Sequence, residues 1–324
     1  MVITNAFTVD VEDYYQVSAF ERYVSRDKWD QYESRVEANT RRMLNLLDRH
    51  GVKATFFVLG WVGQRYPKLV REIQNAGHEI ASHGYWHQLI YNQTPEEFRK
   101  DIRLSRKVLE DIIGEQVFIY RAPSFSVTEQ SRWAIEILIE EGFSIDSSIF
   151  PIYHDRYGIP GAKPFLHQIT TSVGSLWEFP PSVVRFAGHN LPVSGGGYFR
   201  LFPLFWTAWC LKHIGRSTGQ PFIFYVHPWE TDPDQPCFRQ ASLKSRFRHY
   251  INLRKTLEKL GTLLPKFRFG TVSEVIENYT AQQGPPLAGA EDSAATPQSR
   301  LWAPKRLARV SQRPKPIGQS GDPA

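Results

Sequence analysis

Short β-prone apolar runs alternate with amphipathic helical segments up to about residue 280. Few architectures other than a parallel sheet built from β-α units satisfy that rhythm. Residues 6–9, 54–59, 79–82, 117–120, 143–145, 176–179, 222–226 and 267–270 read as strands. Between them, residues 36–50 carry Val36, Met43, Leu44 and Leu47 at helical spacing and stop at Gly51, a residue that accepts the left-handed conformation of a helix C-terminus. Thr94-Pro95-Glu96-Glu97 is a capping signature, and a further helix over 129–141 stops at Gly142. The 324 residues, 41% of them apolar, can fill the core of an α/β fold, and the pattern predicts a distorted (β/α) barrel over residues 1–280. Two stretches break the rhythm, 151–175 and 183–198, and are expected to be long loops over the barrel rim, with Gly195, Gly196 and Gly197 as a flexible lid.

Residues 281–324 change to Pro, Ala, Gln, Ser, Gly and Arg. Without an apolar face dense enough to repay ordering, they are expected to form a disordered tail. Its Arg300, Lys305, Arg306, Arg309, Arg313 and Lys315 suit an anionic membrane surface or an acidic partner, such as a biosynthetic complex. Elsewhere the basic residues are interspersed with acids, so the net charge of +6 reads as solvated surface and not as a nucleic-acid site. Cys210 and Cys237 form neither a disulfide framework nor a Cys-x-x-Cys metal pair. No apolar run reaches membrane-spanning length, and residues 1–7 lack the basic region and apolar core of an export signal. The expectation is a cytoplasmic protein, able to visit the inner membrane surface through the tail. Its oligomeric state is not fixed by any of these features.

Five polar motifs stand where apolar runs end: Asp10-Val11-Glu12-Asp13, His83-Gly84-Tyr85-Trp86-His87, Arg121-Ala122-Pro123, Asp146-Ser147-Ser148 and His227-Pro228-Trp229-Glu230. In a β/α barrel that rim is where side chains from separate strands converge. His83 and His87, four apart, can aim two imidazoles at one ion, and no glutamate of a His-Glu-x-x-His protease motif lies between them. Three acids in four positions repel unless a cation neutralises them, although acids also cap helices. Arg121 can fix a carboxylate by a bidentate pair, and His227, after the most apolar strand, can donate a proton. Carboxylates, paired histidines, an arginine and a separate histidine are the parts needed to hold a divalent metal and cut an amide with water. Trp86, Trp177 and Trp229 lie near these motifs, where aromatic faces suit sugar rings as well as a core.

In this order, Phe-Thr-Val-Asp-Val-Glu-Asp-Tyr-Tyr, Ala-Thr-Phe-Phe-Val-Leu-Gly, Gly-His-Glu-Ile-Ala-Ser-His-Gly-Tyr-Trp-His, Tyr-Arg-Ala-Pro-Ser-Phe-Ser and Phe-Tyr-Val-His-Pro-Trp-Glu resemble the polysaccharide deacetylase (NodB-homology) family over residues 6–280. They are most similar to the branch found with exosortase-type exopolysaccharide loci. The resemblance implies a metal-dependent N-deacetylase, with zinc the expected ion and an N-acetylated glycan, free or lipid-linked, the substrate. It implies Asp10 as base, His83 and His87 as metal ligands, Arg121 as the group orienting the base and His227 as acid, with a backbone N–H at Ser124 and Phe125 on the oxyanion. Many relatives have two adjacent aspartates, where this chain has Val11 in the second place. That leaves Glu12 or Asp13 as the carboxylate ligand; strand alternation favours Glu12 because it shares a face with Asp10. Asp146 lacks the companion tryptophan of some relatives. A small-amide hydrolase and a catalytically silent glycan-binding barrel are the competing readings.

Overall fold

The computed structural model describes residues 3–283. Its strands are β1 (Thr4–Val11), β2 (Thr55–Val58), β3 (Glu79–Ser82), β4 (Ile119–Tyr120), β5 (Ile145–Asp146), β6 (His167–Thr171), β7 (Gly174–Glu178), β8 (Val183–Phe186), β9 (His189–Pro192), β10 (Ile223–Val226) and β11 (Arg268–Gly270). Its helices are α1 (Val36–Arg49), α2 (Gly60–Arg65), α3 (Pro67–Asn75), α4 (Pro95–Ile113), α5 (Trp133–Glu140), α6 (Gly196–Leu201), α7 (Leu204–Thr218), α8 (Leu243–Tyr250), α9 (Leu253–Leu263) and α10 (Val272–Gln283). No described helix is long and apolar enough to cross a membrane. The expected boundary at residue 280 falls inside α10, and the rest of the expected tail lies outside the described residues.

The main sheet runs β10-β1-β2-β3-β4-β5-β7-β6, with β11 also paired to β1. All its ladders are parallel except β6 with β7. Against the expected distorted (β/α) barrel, the ladders give a mixed α/β fold with a largely parallel sheet, and among the described residues no ladder joins β10 to the β7-β6 end. The free edge of β10 is met instead by a backbone bridge from Gly195 to Tyr225, supported by the Tyr225 N–H donating to Ser194 O at 2.8 Å. Gly195 has φ of 138°, and a Cβ there would lie 1.9 Å from Tyr225 O. Close backbone approach, and not lid flexibility, is therefore what the glycine serves.

Strand alternation sorts the two faces of the sheet. One carries Phe7, Val9, Phe56, Ile80 and Tyr120 into the core shared with the helices; the other carries Ala6, Phe57, Ala81, Ile119 and Ile145 inward, over Val272, Val275 and Ile276 of α10. Helix α10 thus plugs the end where the strands begin, and the rim where they finish stays free for polar groups. The expected α4 cap is present in full: Thr94 Oγ1 accepts from Glu97 N at 3.2 Å while Glu97 Oε2 accepts from Thr94 N at 2.8 Å. Both stretches expected as loops hold strands. His167–Thr171 has no apolar run to announce it, and β8 and β9 turn through Ala187 and Gly188, both at positive φ, in place of the usual Asn-Gly pair.

Candidate metal centre and its cavity

Each chemistry-bearing motif lies at the C-terminal end of a strand, so parallel pairing alone brings the motifs to one rim. Asp10 ends the inward row of β1, Glu12 follows it, His83 follows β3, Arg121 follows β4 and His227 follows β10. Arg121, completely buried, donates from Nη1 to Asp10 Oδ1 at 2.6 Å and to Thr8 Oγ1 at 2.8 Å, and from Nη2 to Ser147 Oγ at 2.9 Å. Its guanidinium lies 4.0 Å from the centre of the Phe57 ring. A buried arginine so fully engaged fixes the Asp10 carboxylate in one orientation.

One ligand atom each from Glu12, His83 and His87 lies within 4.8 Å of the other two. His83 Nδ1 meets Arg121 O at 2.8 Å; with the proton on that nitrogen, the Nε2 lone pair is free to bind metal. Burial pushes the His83 imidazole down to about 4, keeping it the neutral form a ligand must have. His87 Nε2 faces Glu12 Oε2 at 2.7 Å, yet that oxygen has no hydrogen-bond partner. Two atoms that close without hydrogen-bond geometry are arranged as neighbouring ligands of one ion. The donor set therefore fits a divalent metal of the zinc type. His87 is held at φ of 50°, and Ser124 and Phe125 at 51° and 53°, so three non-glycine residues at this rim sit in the left-handed region.

Glu12 is steadied from outside by Trp229, whose Nε1 donates to Oε1 at 3.0 Å. Burial alone would raise the Glu12 carboxyl, but the neighbouring His87 and His227 outweigh it and hold the group well below the usual range. Asp13, the alternative ligand, turns away. Its Oδ2 accepts from Ser34 Oγ at 2.8 Å, Arg35 N at 2.8 Å and Val36 N at 3.1 Å, satisfying the first turn of α1. It is a helix cap supplied across a long insertion. Asp13→Ala should cost about 1–2 kcal/mol of stability, as lost caps do, and leave metal content unchanged. Urea unfolding together with metal analysis checks both halves.

His227 Nδ1 pairs with Glu230 Oε1 at 2.7 Å, and Arg200 Nε donates to Glu230 Oε2 at 2.6 Å. His227 Nε2 points at the centre, 3.6 Å from Glu12 Oε1 and 3.8 Å from Asp10 Oδ2. Burial would lower this imidazole, but Glu12, Glu230 and Asp10 outweigh it and push it up to about 9. The Arg200–Glu230–His227 chain was not assigned from sequence. The His-x-x-Glu spacing inside one motif was its signal; Arg200 had none.

A cavity of about 430 Å³ opens over these groups, lined at its floor by Asp10, Glu12, His87, His227 and Trp229. Ser124 and Phe125 line it as well, but the Phe125 N–H is committed to Ala122 O at 3.0 Å and is not free for an oxyanion. Two expected sugar platforms lie elsewhere. Trp177 packs on Tyr279 of α10, at the far end of the sheet, because chain proximity to a motif does not put a side chain at the rim. Trp86 lines a separate hollow with Trp61 and Arg65. Asp146 is also withdrawn: it stands beside Glu178 in the β5-β7 pairing, on the opposite face from Ile145, and accepts from Ser148 Oγ. Burial raises both carboxyls, Asp146 to about 6.

The polysaccharide deacetylase family model matches residues 27–138, and a domain of unknown function, DUF3473, matches 147–277. A peptidoglycan-N-acetylglucosamine deacetylase of Bacillus cereus is 35% identical over 98 residues, 30% of this chain and 36% of the relative. A peptidoglycan deacetylase of Helicobacter pylori is 29% identical over 131 residues, 39% of this chain and 44% of the relative. The chain thus spans less than half the length of these two relatives. A Mycobacterium smegmatis crystal structure shares the fold, with a TM-score of 0.57 at 21% identity, covering 89% of this chain and 94% of that one. Over residues 27–138 the chain is thus similar to the polysaccharide deacetylases.

Proposed function

We propose that the protein is a metal-dependent N-deacetylase of N-acetylhexosamine units in a bacterial exopolysaccharide or its lipid-linked precursor, working on the cytoplasmic side. On its motifs we place it in the branch associated with exosortase-type loci. The observation that carries the reading is the convergence of Glu12, His83 and His87 beside the buried Asp10–Arg121 pair. A zinc-type ion held by the three would polarise the acetamide carbonyl and acidify water. Asp10 Oδ2, the oxygen not held by Arg121, takes one proton from the attacking water as its oxygen joins the carbonyl carbon. His227 Nε2 gives a proton to the sugar nitrogen as the C–N bond breaks, leaving acetate and a free amine. Glu230 keeps the His227 ring in the orientation that this transfer needs, and Arg200 fixes Glu230.

His83→Ala should lose bound metal and acetate release together, measured by elemental analysis and an acetate assay on N-acetylglucosamine oligosaccharides. A full equivalent of metal at wild-type affinity in that variant would contradict the ligand assignment. Glu230→Gln should retain metal but lower turnover by roughly tenfold or more, a part of the ~10²–10⁴ contributed by a positioned acid. Its pH–rate profile should change on the basic limb, where the donor is lost; an unaltered profile would remove Glu230 from this role. A closed cavity restricted to a small amide is disfavoured by the lining, which continues from Trp229 to Tyr157, Tyr198 and the exposed Phe247.

A further inference from the structure

Building on the deacetylase reading, we infer that the natural substrate is an anionic glycan, carrying a uronate carboxylate or a sugar-linked phosphate near the acetamido sugar, and that Arg156, Lys244 and Arg248 receive that charge. The cavity lining contains two carboxylates, Asp10 and Glu12, and both belong to its floor. Asp10 accepts from Arg121, and Glu12 accepts from Trp229 and belongs to the candidate metal centre. The outer lining holds three cations, Arg156, Lys244 and Arg248. Among the described residues the acid that pairs with them is Asp155, which meets Lys244 Nζ at 3.0 Å and Arg248 Nη1 at 3.8 Å. Two cations thus share one carboxylate, and among the described residues Arg156 forms no ion pair. Asp155 and Lys244 are roughly half and two-thirds exposed, so their pair gains little in water and can open to admit a ligand anion. His154 beside them is pushed down to about 4 by burial and adds no charge at neutral pH.

The cations are built into the site. Lys244 and Arg248 stand one turn apart on α8, so they present to the same side. Arg200 grips the end of that helix, donating to His249 O at 2.5 Å, Ile251 O at 3.1 Å and Arg248 O at 3.0 Å. The same arginine holds Glu230, and through it His227. One buried side chain therefore sets the spacing between the proton donor and the cationic wall. Tyr157, stacked on His154 at 3.8 Å, and Tyr198 also line the cavity, so aromatic surface stands beside its cations, the two chemistries that an acidic saccharide displays.

The test uses the metal-loaded full chain and three tetrasaccharides: neutral N-acetylglucosamine, alternating N-acetylglucosamine and glucuronate, and the neutral tetramer bearing a 1-phosphate. At least one acidic substrate should exceed the neutral one by tenfold or more in kcat/KM, and which one does so identifies the source of the charge. That ratio should fall toward one in K244Q/R248Q, and also in the wild type as salt rises from ~20 mM to ~500 mM, where screening shortens the reach of exposed charges. The salt arm stands if the variant fails to fold. Equal kcat/KM for all three substrates at low salt would overturn the inference while leaving deacetylation intact. If no substrate releases acetate, the functional reading fails, and calorimetric binding decides the inference: tighter binding of an acidic tetramer, lost in salt, supports it, and equal binding overturns it.

Discussion

Asp10→Asn is expected to lower acetate release by roughly 10²–10⁴-fold, the range for removal of a positioned general base, while metal content stays at the wild-type level. Asn keeps the shape of the side chain and can still accept from Arg121, but its amide cannot take the proton of water. The metal prediction follows from the geometry, since Glu12, His83 and His87 converge without Asp10. Activity measured beside metal stoichiometry separates the roles. Comparable metal loss in Asp10→Asn and Glu12→Ala would mean that Asp10 is itself a ligand.

The largest loss of stability is expected at Arg121. Arg121→Met removes a guanidinium that engages Asp10, Thr8 and Ser147 at once, and leaves Asp10 buried without its partner. Breaking a buried pair from one side costs about 3–5 kcal/mol, much of it from the stranded charge. Urea unfolding should therefore show a strongly reduced midpoint. The double variant Arg121→Met with Asp10→Asn should be less destabilised than the sum of the two, because the stranded charge is gone. Strict additivity would mean that the pair contributes no coupling.

Much of the site was legible because it lies where strands end, and strand ends are marked by a change from apolar to polar residues. The Asp10 and Glu12 parity, the His83 and His87 spacing and the Thr94 cap are local relations, and local relations survive in sequence. Asp13 shows the limit: its acceptors' partners are Ser34, Arg35 and Val36, across a segment whose path no pattern reveals. The same holds for Arg200, which reaches Glu230 from α6, and for Trp177, whose position near Glu178 said nothing of which end of the sheet it occupies. Whether the sheet closes was not legible, because β-α rhythm specifies parallel neighbours, not whether the first and last strands meet. The β8-β9 hairpin was missed because its Ala187-Gly188 turn lacks the usual asparagine.

Acetate release from an N-acetylglucosamine oligosaccharide, followed on one preparation before metal removal, after chelation and after restoring one equivalent of zinc, tests the central claim most directly. A site built from Glu12, His83 and His87 predicts about one bound divalent ion, loss of acetate release on chelation and recovery on reconstitution, with no recovery in His83→Ala. Undiminished acetate release from the stripped protein, or equal recovery in His83→Ala, would contradict it.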